Sequence, residues 1–262
     1  MKSYFFEDVT LLITHYNRSG SLERLLERFA QQHCRFEDIV VSDDCSKPEH
    51  LNALKELQQR YAFRLITAPE NRGLGNNINK GQDAVKTAYT LYVQEDFVPK
   101  DDFPQHFQNA LQFIREDDSL DIIRFYGYLK YPYLKPYGKG FSKMTFKQNP
   151  FYANHLKFYC YSDHPHLRRS NFLKKFGRYV EGKNVDVTEL QMSLRFLRKK
   201  GQGLFFDEYT TLFDHSNSSV EPSTASYRPN WRQSKQPVVL FLRWFYLKYR
   251  FVKNSSQLIF ME

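Results

Sequence analysis

An α/β domain built on a mostly parallel, doubly wound central sheet flanked by helices is the fold class that this sequence predicts. Two observations carry that expectation. Apolar runs of strand length alternate with segments of helical periodicity through the first hundred residues. Each run then ends in acids, amides or hydroxyls, at the carboxyl ends of strands where sheets of this kind bind ligands.

The first run, VTLLIT from Val9 to Thr14, is continuous enough to be buried on both faces. Leu22, Leu25, Leu26 and Phe29 follow at helical spacing. Ile39 to Val41 gives a second strand, after which Ser46 and Pro48 provide an N-cap and first turn for a helix carrying Leu51, Leu54 and Leu57. Phe63 to Thr67 is a third strand, a helix spans roughly 74 to 88, and Leu91 to Val93 is a fourth strand. That strand runs into Gln94, Glu95 and Asp96 before Pro99 stops it. Two adjacent acids at a strand mouth repel each other and are partly desolvated, so a positive partner is expected beside them.

Asp121 to Phe125 reads as a further strand. Residues 126 to 167 are dense in Tyr, Phe, Lys, Pro and His without clean periodicity. Helical pattern returns at 188 to 199, is ended by Gly201, and leads to a strand at Gly203 to Phe206. From Ser216 the chain reads as loop, and PVVLFLRWFYLKYRFVK closes it as a basic, aromatic helix. The expected division is a domain over 1–215, with halves at 1–100 and 101–215, and a tail over 216–262.

At 262 residues the chain can bury a core without disulfide help. Cys34, Cys45 and Cys160 form no CxxC pair, which argues against a disulfide framework or a zinc knuckle and for a reducing, cytoplasmic setting. Glu7 and Asp8 interrupt the opening aromatics before a signal-peptide core develops, and no apolar run approaches the ~20 residues that cross a bilayer. The formal charge of +9 implies anionic company: nucleic acid, phosphorylated small molecules or an acidic lipid surface.

In order along the chain, VTLLITHYNR, DIVVSDDCS, NRGLGNNINKG, LYVQEDFVP, PHLRRSNFLKKFGRYVEG and VTELQMSLRFLRKKG resemble segments of the family 2 glycosyltransferases, over roughly residues 8 to 215. The resemblance implies the GT-A nucleotide-sugar fold and an inverting transfer of a sugar from a nucleotide diphosphate sugar, UDP favoured, to a hydroxyl of a glycan or lipid-linked acceptor in surface polysaccharide synthesis. By the same resemblance, residues 1–100 are the nucleotide-binding half and 101–215 the acceptor half. Thr14, Tyr16 and Arg18 would pack base and ribose, Asp44 would accept from the base, Arg72 and Asn79 would serve the nucleotide or its phosphates, and Glu95 would lie near ribose or metal-bound water. Asp96 would bind Mg²⁺ or Mn²⁺, with His215 completing the metal or diphosphate site. Gln94 stands where the family has the first Asp of its metal motif, and Ile78 where it often has Arg. Glu189, six residues before Arg195, takes the place of the family's catalytic base, with Glu181 as its competitor.

Other classes remain open at this stage. The aromatic, basic stretch from 126 to 167 suits single-stranded nucleic acid, although it lacks any known binding signature and aromatic faces serve sugars equally. A nucleotidyltransferase would share the layout, but no P-loop is present. Gln94 and Thr188 keep open a degenerate GT-A-like domain that binds without turnover. Within the tail, Val238 to Val252 mixes Leu240, Trp244 and Phe245 with Arg243, Lys248 and Arg250, a composition suited to an anionic membrane surface over residues 237–252.

Overall fold

The computed structural model describes residues 2–147, 149, 151–216 and 236–260. Most of the loop expected after Ser216 therefore lies outside the described residues.

Strand β1 (Tyr4–His15) sits inside the sheet, as its apolar run requires: Val9, Leu11, Leu12 and Ile13 are fully buried. It pairs in parallel with β2 (Cys34–Asp43) on one side and β4 (Tyr89–Gln94) on the other, and β3 (Arg64–Ile66) extends the parallel block beyond β2. Helices α1 (Ser19–Gln31), α2 (Pro48–Tyr61) and α3 (Gly73–Asp83) make the crossovers. Side chains alternate between two cores, one holding Leu11, Ile13 and Leu91 and the other Leu12 and Tyr92, so helices cover both faces. Gly81 lets α3 lie close on the sheet, since a Cβ there would come 2.6 Å from Leu12 Cδ1 and 2.9 Å from Ser42 Cβ.

The second half of the sheet is mixed. The order is β3-β2-β1-β4-β9-β6-β10-β8-β7, in which β9 (His166–Arg169) runs antiparallel between β4 and β6 (Ile122–Arg124). Next come β10 (Gly203–Phe206), parallel to β6, and the antiparallel hairpin of β8 (Phe141–Met144) and β7 (Leu134–Gly138). A separate two-stranded sheet pairs β5 (Phe97–Pro99) with β11 (Phe213–His215). Helices α4 (Phe103–Glu116), α5 (Phe172–Phe176) and α6 (Val185–Arg198) complete the layers, and α7 (Pro237–Phe260) forms the tail.

The parallel block is what positions the site. The chain moves outward from β1 through β2 to β3 and then returns to place β4 on the other side of β1. Such a reversal of strand order opens a crevice at the carboxyl ends of β1 and β4, and Thr14 and Gln94 are register partners there.

Candidate active site

Beyond Thr14 the backbone turns through Asn17 at a φ of 54° and brings Arg18 back over the end of β4. Arg18 Nη1 donates to Asp96 Oδ2 at 2.7 Å and lies 3.7 Å from Glu95 Oε1. This buried guanidinium is the positive partner that the acid doublet requires. Pairing of β11 with β5 sets His215 opposite Phe97, and His215 Nε2 reaches the same Asp96 Oδ2 at 3.0 Å. Burial pushes the Asp96 carboxyl up, but the hydrogen bonds from His215 and Arg18 outweigh it and hold the group below the usual carboxylate range. Asp96 Oδ1 is buried and has no hydrogen-bond partner among the described residues.

The β1 and β2 ends are locked by the fully buried His15. Its Nε2 accepts from the Arg18 backbone N–H at 3.2 Å, so Nδ1 carries the proton and donates to Asp43 Oδ1 at 2.7 Å. Asp43 Oδ2 also accepts from Ser46 N–H at 3.0 Å, which makes a turn ahead of α2, where Lys47 rather than Ser46 is the N-cap. The neighbouring Asp44 accepts at both oxygens, from the backbone N–H groups of Arg72 at 2.9 Å and Gly73 at 2.8 Å. Asp44 thus caps the start of α3 while facing the crevice, and burial raises its carboxyl above the usual range despite those two donors.

A cavity of about 480 Å³ extends from these strand ends towards α6. It brings together Thr14, Tyr16, Arg18, Asp44, Glu95 and Asp96 at the strand ends, with His215 beside them and Glu189 across the cavity. Arg72 and Asn79 do not line it. The Arg72 side chain is mostly exposed, with Glu70 Oε1 3.9 Å away. Asn79 is buried, donating to Tyr179 O at 3.0 Å and Glu181 Oε1 at 2.9 Å and accepting from Tyr179 N–H at 2.9 Å.

Glu189 lies in the second turn of α6, not at the helix start, because the helix begins at Val185 behind an Asn184 cap that accepts from Val187 N–H. On the core side of α6, Thr188, Met192, Leu194 and Phe196 are buried and Leu197 is only partly so, while Leu190 lines the cavity. Glu189 Oε1 accepts from the Asp163 backbone N–H at 2.8 Å. Burial, then the nearby Asp163 carboxyl, pushes the Glu189 carboxyl well above its ordinary value. Glu181 is outside the cavity, and donors from Asn79 and Asn76 hold its carboxylate below the usual range, which suits a structural acceptor rather than a base.

Several cavity residues were not read from the sequence. Asp186 stands one helical turn before Glu189, and that spacing was a legible signal. Arg124 is buried under the cavity floor, donating to Tyr159 O and Ser162 Oγ at 2.6 Å each. Nothing in the short strand IIR distinguishes it from a surface arginine. Arg250 enters the cavity from α7, far along the chain from Tyr159 and Ser162, which also line it.

A family-wide profile for Glycosyl transferase family 2 matches residues 10–176, well over half of the chain. Among curated proteins, an uncharacterized glycosyltransferase of Haemophilus influenzae is 26% identical over 118 residues, which cover 44% of this chain and 37% of that protein. The poly-beta-1,6-N-acetyl-D-glucosamine synthase of Staphylococcus aureus is 23% identical over 100 residues, 38% of this chain and 24% of that one. The chain therefore matches only about a third or less of the length of these relatives. Among solved structures, S. aureus TarS 1-349 in complex with UDP-GlcNAc superposes with a TM-score of 0.59 at 16% identity, covering 85% of this chain and 62% of that one. The mannosyltransferase PcManGT of Pyrobaculum calidifontis, in complex with GDP-Man and Mn²⁺, gives 0.51 at 13% identity over 76% of this chain and 54% of its own. The two structures share the GT-A arrangement seen here, and with the profile match across β1 to α5 the chain belongs to glycosyl transferase family 2.

Proposed function

We propose that this chain transfers a sugar, with inversion, from a nucleotide diphosphate sugar to a hydroxyl of a glycan or lipid-linked acceptor, with a UDP-sugar as donor. One observation carries the proposal: a single cavity joins the Arg18, Asp96 and His215 cluster at the strand-order reversal to Glu189 on α6. In this reading Thr14, Tyr16 and Asp44 hold the nucleoside, Arg18 and Glu95 flank the diphosphate and ribose, and Glu189 takes the proton from the acceptor hydroxyl. Arg72 and Asn79 act from outside the cavity, by presenting the amide that caps on Asp44 and by fixing α3 against the Tyr179 segment.

Among the described residues no group of three or more His, Cys, Asp or Glu side chains could hold a metal ion. Asp96 Oδ1, buried without a partner, and the His215 imidazole do fit a Mg²⁺ or Mn²⁺ ion that the donor itself helps to hold. When bound, such an ion neutralises charge on the leaving diphosphate. Differential thermal unfolding with UDP- and GDP-sugars, with and without Mn²⁺, tests the donor assignment. A donor at a hundred times its dissociation constant should add about 2.7 kcal/mol of stability; no stabilisation by any nucleotide sugar would remove the proposal.

A membrane-surface role for α7 is part of the same reading. Among the described residues no helix is long and apolar enough to cross a membrane. The end of α7 is anchored, with Asn254 and Ser255 buried and Lys157 Nζ 3.1 Å from Ser255 Oγ. Its first half leaves Phe241, Leu242, Trp244 and Phe245 more than half exposed, next to Arg243 and Lys248. That pattern supports a surface lying in lipid headgroups, close to the cavity that Arg250 helps to line. Removal of residues 237–262 should release the protein from anionic vesicles, and unchanged co-sedimentation would count against a lipid-side acceptor.

A further inference from the structure

Asp163 is fully buried, yet no cation lies within ion-pair distance of it among the described residues. Its Oδ1 accepts from Tyr161 OH at 2.8 Å, and its Oδ2 has no partner among the described residues. Behind Tyr161 a chain of donors runs through the core. Arg168, itself fully buried, donates from Nη1 to Tyr179 OH at 2.5 Å and from Nη2 to Gln82 Oε1 at 2.7 Å, and the Tyr179 hydroxyl is hydrogen-bonded to that of Tyr161. Read from the arginine, each hydroxyl can accept from one side and donate to the next, so the chain ends by donating to the Asp163 carboxylate. No periodicity or motif in the chain marks this path. It joins β9, the segment after α5 and the link before β9, which meet only in the folded sheet.

On its other side Asp163 meets α6, where its backbone N–H donates to Glu189 Oε1. We infer that Asp163 is a positioning residue for the transfer: its N–H aims the Glu189 carboxyl, and its own buried carboxyl, fixed by the Arg168, Tyr179 and Tyr161 chain, sets the charge Glu189 carries. The inference rests on Glu189 being the base. Two carboxyls this close do not ionise independently, and the one that the donor chain serves ionises first. Glu189 is then left as the more basic of the two, which makes it the stronger proton acceptor once it is ionised. Directions agree: burial raises both carboxyls, Tyr161 and Arg168 pull Asp163 back down, and Asp163 pushes Glu189 further up.

Other charged groups face the pair. Arg124 on β6 lowers Glu189, while Asp186 on α6 raises it. His164 beside Asp163 and Arg250 from α7 share the cavity with Glu189. On the Asp163 side His166 is buried and held neutral, its ring pushed far below the usual range by burial and by Arg168. Tyr92 on β4 completes the surround, its hydroxyl hydrogen-bonded to Thr14 at 3.0 Å.

The test is carboxyl ¹³C NMR titration of the full chain, with the Glu189 signal assigned from Glu189→Gln, alongside the pH profile of kcat/KM with a nucleotide-sugar donor. In Asp163→Asn the Glu189 midpoint and the acid limb of the profile should both move to lower pH by about one unit. Tyr161→Phe keeps the ring in the core and should raise the Asp163 midpoint, because that carboxylate loses its donor. It also serves as the readout where the asparagine variant does not fold. A Glu189 midpoint and an acid limb unmoved in folded Asp163→Asn, or an Asp163 midpoint unmoved in Tyr161→Phe, would overturn the inference. Should the midpoint move while Glu189→Gln keeps near-parental turnover, the base assignment falls, and Asp163's part in the transfer falls with it.

Discussion

Glu189→Gln is expected to lower turnover by about 10² to 10⁴ while leaving nucleotide-sugar affinity near that of the parent. The two effects separate because they arise at opposite ends of one cavity: in the proposed reading the strand-end loops hold the donor, whereas Glu189 stands on α6, hydrogen-bonded to Asp163 N–H. The product should have inverted anomeric configuration. Stability supplies a second, independent readout. Over the pH range between the ordinary carboxylate value and the raised value of Glu189, the folded chain holds a proton that the unfolded chain has released. More protons bound in the folded state means that stability falls as pH rises through that window. Glu189→Gln removes that contribution, so the variant should lose less stability than the parent between mildly acidic and alkaline pH. Near-parental turnover, or a product of retained configuration, would move the base elsewhere.

How far the sequence specified this molecule varies with the kind of signal each segment carries. Val9 to Thr14 and Leu91 to Val93 were legible because strands buried on both faces must be apolar throughout, and Leu22, Leu25, Leu26 and Phe29 because one helical face must be. Helix α4 passed unread although Phe103, Phe107, Leu111 and Ile114 keep helical spacing behind Pro104. Strand β9 was hidden for a physical reason: HLRR reads as polar surface, yet Arg168 is paid for in the core by tyrosine hydroxyls and the Gln82 amide. At the site, Asp96, Arg18, Asp44 and Glu189 were named from strand ends and from resemblance, and the cavity gathers them. Their partners were not legible. Asp163 and Arg124 act through contacts between segments far apart in the chain, and no periodicity encodes such contacts.

Replacement of Asp96 should produce the other large effect, on both stability and transfer. Asp96 Oδ2 is shared by Arg18 and His215 in a site where the Arg18 and Asp96 side chains are only 4% and 8% exposed. Asp96→Ala leaves that guanidinium without its carboxylate, and breaking one side of a buried pair typically costs about 3–5 kcal/mol. The melting temperature should therefore fall, and should fall less in Arg18→Met/Asp96→Ala than the two single losses added together, because the pair is coupled. For transfer, the other oxygen of that carboxylate, Oδ1, is the one proposed to meet a divalent ion, so turnover stimulated by Mn²⁺ should disappear in Asp96→Ala. Gln94 is the register partner of Thr14 at the crevice and lines the same cavity. A carboxylate there, in Gln94→Asp, adds a hard anionic ligand and should tighten Mn²⁺ binding measured by calorimetry in the presence of UDP. Asp96→Ala that transfers sugar as well as the parent does in EDTA would exclude the ion from the reaction and leave Arg18 as the cation facing the diphosphate.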